Sequence, residues 1–137
     1  MTFFDKVSNS QNEMKTTVLI DIDGVLVDTD NCNEDCDFTH YPHHINLRRE
    51  KCPLMDGAKE SLDTIKNMGL TIILFTSRVE EERQATEDWL SHHKLPYDRL
   101  VMNKPRSFII IDDLAHKFTG WGEALHEIVY RNNKMEK

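Results

Sequence analysis

The sequence predicts an α/β fold in three layers, a parallel sheet flanked by helices, and three observations carry that expectation. Short apolar runs at 18–22, 70–75 and 108–111 are rich in β-branched residues and apolar at consecutive positions, as strands covered on both faces are. Amphipathic stretches of helical period stand after the second of these runs, before it and after the third. Each apolar run ends in polar groups that have no place in a core: Asp21 and Asp23, Thr76 and Ser77, Asp112 and Asp113. Strands alternating with helices pack as a parallel sheet with helical layers.

Taken in order, residues 1–15 show neither helical nor strand periodicity and are expected to be a flexible arm. The domain is expected at 16–132, with a polar tail at 133–137. After the first strand, the segment 28–53 has no period and carries Pro42, three histidines and all three cysteines. With its flanks it forms an insertion at 28–55, and loops of this length inside a compact domain are usually functional. Ala58, Leu62, Ile65 and Met68 then share one helical face, which Gly69 ends. A second helix opens on Glu80, Glu81 and Glu82, where the helix dipole favours negative charge, and presents Ala85, Trp89 and Leu90. A last amphipathic stretch aligns Phe118, Trp121, Leu125 and Ile128. The two tryptophans read as core.

The 137 residues suffice for one domain and one site. A composition 39% hydrophobic and 30% charged is that of a water-soluble globular domain, and the formal charge of −7 argues against a broad nucleic-acid-binding surface. No apolar run approaches a membrane span, and the start of the chain lacks the apolar stretch of a signal peptide, so a cytoplasmic protein without a membrane partner is expected. Self-association as a homo-oligomer stays open. Cys32, Cys36 and Cys52 are an odd set in one segment, which favours reduced thiols over a disulfide framework. With His40, His43 and His44 they also invite a zinc reading, but their spacing matches no common zinc motif.

The polar groups at the strand ends carry the chemistry. In an open parallel sheet the carboxyl ends of the strands line one crevice, so Asp21, Asp23, Thr76, Ser77, Asp112 and Asp113 are expected to converge. Acidic oxygen ligands gathered in this way suit magnesium. Asp21 and Asp23 lie two apart, so an extended backbone points both to one side, and Gly24 lets the chain turn. One carboxylate attacking phosphorus forms an acyl phosphate, while a second protonates the leaving oxygen and then activates water. Lys104, eight residues before Asp112, supplies a cation for the nucleophile and the phosphoryl group, and the Thr76 hydroxyl supplies a donor. Ser77, Arg78, Arg48 and Arg49 are candidates for contact with the substrate. For Arg48 and Arg49 the competing reading is a solvated charged face.

These residues resemble the motifs of the haloacid-dehalogenase-like (HAD) hydrolases, which have a Rossmann-like fold. VLIDIDGVLVDT matches the first motif, ILFTSR the second, Lys104 the third and IIIDD the fourth, over 16–121. The resemblance implies Asp21 as nucleophile, Asp23 as acid and base, Thr76 and Lys104 as phosphoryl-holding groups, and Asp112 and Asp113 beside the aspartate pair as metal-site acids. TSR, TEDWL and the doubled aspartate are similar to those of 5′(3′)-deoxyribonucleotidases and of the 3′-phosphatase domain of phage polynucleotide kinase. About thirty residues separate Asp23 from the first helix, too few for a large cap domain. The expected activity is magnesium-dependent hydrolysis of a small phosphorylated metabolite, a nucleoside monophosphate before a sugar phosphate. The alternatives are a polynucleotide 3′-end phosphatase and a non-catalytic phosphate-binding relative.

Two other carboxylate-rich sites fit less well. A calcium-binding EF-hand starting at Asp21 would place Val25, Leu26 and Cys32 where an oxygen ligand, glycine and glutamate are needed. A phosphoacceptor receiver domain has its acidic pair first, whereas here the doubled aspartate comes last.

Overall fold

The computed structural model of the chain describes residues 16–32 and 52–135. Three strands, β1 (Thr17–Asp21), β2 (Thr71–Phe75) and β3 (Arg99–Val101), form a parallel sheet in the order β1-β2-β3. Three helices accompany it: α1 (Ala58–Asn67), α2 (Arg83–His92) and α3 (Trp121–Met135). The α/β parallel-sheet expectation therefore holds. The third strand, however, is Arg99–Val101 and not 108–111. Phe108, Ile109, Ile110 and Ile111 lie outside the sheet with their side chains exposed. An apolar run shows that a segment can be buried on two faces, not that a sheet edge is there to receive it.

The core follows the predicted periodicities. Ile72 and Leu74 of β2 pack with Leu62 and Ile65 of α1, while Ile73 points to the opposite face and is buried there. This alternation is the strand period of two with both faces covered. In α1, Ala58, Leu62 and Ile65 are fully buried one to two turns apart. Gly69, at φ 82°, then ends the helix. Its N–H donates to the Lys66 carbonyl at 2.9 Å and that of Leu70 to Ile65 at 3.3 Å, the paired bonds of a Schellman cap. In α2, Thr86 joins Trp89 and Leu90 on the buried face, and Ala85 is only half-buried. The last helix continues through Met135, into the segment expected as a polar tail.

Both tryptophans are buried and also pin loops. The Trp121 indole N–H donates to the Val25 carbonyl at 2.8 Å and that of Trp89 to the Cys52 carbonyl at 3.1 Å. The feet of the insertion meet: Val27 and Leu54 form an antiparallel bridge, and the Asp28 N–H donates to the Pro53 carbonyl at 2.9 Å. Beside this bridge Cys32 and Cys52 form a disulfide, with Cα atoms 4.8 Å apart. This corrects the expectation of reduced thiols, because the odd cysteine count could not show that the two feet are zipped together. The arm at 1–15, Cys36, the three clustered histidines, Arg48 and Arg49 lie outside the described residues. Among the described residues, no helix is long and apolar enough to cross a membrane.

Asp98, before β3, locks the far side of the sheet. Its Oδ2 accepts from the Ile72 N–H at 2.8 Å and from Lys66 Nζ at 2.7 Å. Burial works against its charge, but the Lys66 ammonium and the Ile72 N–H outweigh that and hold its carboxyl below the usual range. A lowered folded-state value makes the contribution complete above the unfolded value of about 3.9 and lost as pH falls through the folded one. Asp98→Ala should therefore lower stability at pH 7 by about 1–2 kcal/mol. Urea titrations at falling pH should show the gap to the parent chain narrowing once the pH drops below the unfolded value of about 3.9. A gap constant across that range would rule out the ionised carboxylate as its source.

Candidate active site

The carboxyl end of the sheet is one row of residues in register, Asp21 beside Phe75 and Phe75 beside Val101. The chain leaves each strand there. After β1 it turns at once: the N–H groups of Val25, Leu26 and Val27 all converge on the Ile22 carbonyl, and Gly24, at φ 84°, donates to Val27 at 3.0 Å. A side chain at Gly24 would be strained by that φ. This tight loop carries Asp21 and Asp23 at the carboxyl end of β1.

The loops after β2 and β3 are clamped together. The Lys104 N–H donates to the Thr76 carbonyl at 2.8 Å, and the Asn103 N–H donates to the Arg78 carbonyl at 2.8 Å. Asn103 takes a left-handed conformation, φ 63°, which asparagine tolerates better than most residues. The turn brings the Lys104 ammonium over the Phe75 ring, 4.4 Å from its centroid, and to 3.3 Å from Asp21 Oδ2. The other Asp21 oxygen accepts from the Ile22 N–H at 2.8 Å, and the carboxylate is still 37% exposed. A carboxylate thus stands at the carboxyl end of the sheet with a cation fixed beside it, although the two residues are 83 positions apart.

Asp23 has a different partner. Arg78 grips it with two hydrogen bonds, Nε to Oδ2 at 3.0 Å and Nη2 to Oδ1 at 2.6 Å. The third arm, Nη1, donates to Thr86 Oγ1 at 2.9 Å, and the Thr86 hydroxyl in turn donates to the Glu82 carbonyl at 2.8 Å. Arg78 is only 5% exposed, so it belongs to the floor of the site, whereas its partner Asp23 is 30% exposed. Thr76 is also buried, and its Oγ1 accepts from the Arg78 N–H at 3.2 Å. Ser77, between them, is half-buried.

The structure thus brings together Asp21, Asp23, Thr76, Ser77, Arg78 and Lys104, from three separated segments. It does not bring Asp112 and Asp113 to them in the same way. Both are exposed in the segment outside the sheet, where Asp112 Oδ1 accepts from the Leu114 N–H at 2.6 Å. Among the described residues no group of three or more His, Cys, Asp or Glu side chains is placed to hold a metal ion. Sequence reasoning missed Thr86 and Asn103. The one signal for Asn103 is its type, suited to a left-handed turn; Thr86 opens the TEDWL stretch, which carries no mark of its contact with Arg78.

No protein-family model matches the chain. No curated protein matches it. Solved structures do resemble it in fold. A target protein from Vibrio cholerae is 20% identical, with a TM-score of 0.58 over 89% of this chain and 99% of that one. A chain of the Pnkp1/Rnl/Hen1 complex is also 20% identical, with a TM-score of 0.53 over 90% of this chain. The match spans only 37% of that larger chain.

Proposed function

We propose that this chain is a phosphomonoester hydrolase of the haloacid-dehalogenase-like type, with Asp21 as nucleophile and Asp23 as acid and base. The observation that carries the reading is the meeting of Asp21 with Lys104 at 3.3 Å, beside Asp23, at the carboxyl end of a parallel sheet. An ammonium there offsets the repulsion between an attacking carboxylate and an anionic phosphate. A half-buried carboxylate two residues away stands within the same loop to move the proton.

The reaction has two halves. An Asp21 oxygen forms a bond to phosphorus as the ester oxygen leaves, and that oxygen takes a proton from the Asp23 carboxyl. Water then attacks the same phosphorus, Asp23 takes its proton, and the Asp21–phosphate bond breaks to release inorganic phosphate. Lys104 stays beside the charge throughout. Ser77, half-buried in the loop after β2, is the candidate hydroxyl for a phosphoryl oxygen.

Magnesium belongs to the proposal on donor chemistry alone, since Asp21, Asp23, Asp112 and Asp113 offer the hard oxygens it prefers. Because the structure does not gather them, no step is routed through an ion. For the substrate, a nucleoside monophosphate comes first and a sugar phosphate second. Arg48 and Arg49 in the insertion are the candidates for holding its remaining polar groups. A polynucleotide 3′ end is the second reading, and the fold likeness to a chain of the Pnkp1/Rnl/Hen1 complex speaks for it. The charge of −7 speaks against it, because phosphate contacts dominate the binding of nucleic acids.

The purified chain should release phosphate from nucleoside monophosphates when magnesium is present, and lose that activity on chelation. Far faster release from an oligonucleotide 3′-phosphate, falling steeply with salt, would replace the small-substrate reading. No release from any phosphomonoester would leave the non-catalytic phosphate-binding reading.

A further inference from the structure

We infer that Arg78 is a positioning residue for Asp23: its guanidinium fork sets the plane of the carboxylate that moves the proton. This rests on the hydrolase reading above and changes the role that its place after Thr76 and Ser77 suggests, which is contact with the substrate. Three of the five guanidinium N–H donors are committed, two to Asp23 and one to Thr86. The side chain lies at 5% exposure, behind the group it grips.

The supporting chain is oriented end to end. Thr86 accepts from Arg78 and donates to the Glu82 carbonyl, so its hydroxyl hydrogen is already placed and its oxygen is left to receive Nη1. Glu82 is itself buried, and its Oε1 accepts from the Val79 N–H at 3.2 Å, which ties the start of α2 to the loop that carries Arg78. The Arg78 carbonyl receives the Asn103 N–H, so the same residue also joins the loop that delivers Lys104. A parallel fork on both oxygens fixes a carboxylate in rotation as well as position. It uses one acceptor site on each oxygen. Stability alone is a poor reason for this pair, since an ion pair with one buried partner seldom repays its desolvation. A site that needs a proton delivered from one direction does supply a reason.

The test compares two esters on one set of variants. On an alkyl phosphate, whose leaving oxygen needs the proton, Arg78→Met should lower kcat about a hundredfold, and on p-nitrophenyl phosphate less than about tenfold. Arg78→Lys keeps the charge without the fork and should behave like Arg78→Met. Thr86→Val should shift both rates in the same sense by a few fold. Adding Arg78→Met to Asp23→Asn should cost little more than Asp23→Asn alone, because both remove one function.

Equal losses on the two esters, additive losses in the double variant, or full rescue by lysine would overturn the positioning role. Should Arg78→Met fail to fold, as thermal melting would show, Arg78→Lys and Thr86→Val carry the same comparison. Absence of turnover by the parent chain on both esters would instead remove the hydrolase reading on which the role rests.

Discussion

Asp21→Asn should lower phosphoester hydrolysis by about ten-thousandfold or more while the chain stays folded. An amide cannot form the acyl phosphate, so the covalent route closes and no neighbouring group replaces it. The fold should survive because the side chain is 37% exposed and an amide oxygen can still accept the Ile22 N–H that now reaches Oδ1. The ion pair to Lys104 is lost, but a pair this accessible contributes at most about 1 kcal/mol. Initial rates together with a melting curve check both halves of the expectation. Turnover within tenfold of the parent chain would show that Asp21 is not the nucleophile.

Lys104→Ala should be the next most damaging change, lowering kcat about 10²–10³-fold. Here the reasoning is electrostatic. The Asp21 carboxylate and a phosphate ester are both anionic, and the ammonium stands 3.3 Å from the Asp21 carboxylate. Its position depends on a backbone clamp, the Lys104 N–H on the Thr76 carbonyl and the Asn103 N–H on the Arg78 carbonyl, which an alanine keeps. The variant should therefore fold and bind in the same crevice with its chemistry slowed. Steady-state kinetics on one small phosphomonoester suffice, and a change confined to KM would assign Lys104 to substrate binding alone.

Much of this site was legible before any coordinates because its residues follow apolar runs. Asp21 and Thr76 stand at the ends of runs whose consecutive β-branched residues leave little alternative to buried strands, and β1 and β2 lie where those runs are. Gly69 likewise announced the end of α1. β3 was not legible: Arg99–Val101 is three residues long, begins with arginine and is only half-buried, so it has no pattern to read. The run at 108–111 has the pattern and no place in the sheet, since whether an edge receives it is decided by the rest of the fold. Asp112 and Asp113 follow that segment, and their exposed position outside the sheet could not be foreseen for the same reason.

Arg78 illustrates the other limit. Its neighbours in sequence are Ser77 and Val79, which say nothing of a carboxylate 55 positions earlier or of Thr86 beneath it. Long-range ion pairs depend on how loops are aimed, and here that aim is set by three backbone-anchored turns. The disulfide is a similar case, because the insertion's feet meet only once the bridge of Val27 with Leu54 has formed.

The most direct test of the central claim is to trap the phosphoryl group. The chain is mixed with a phosphomonoester labelled in its phosphate, quenched in denaturant within the first turnover, and digested for peptide mapping. A label on the peptide containing Asp21, discharged by hydroxylamine and missing from Asp21→Asn, is the result this account predicts. Turnover by the parent chain with no protein-bound label at any quench time, or with the label on another residue, would contradict it.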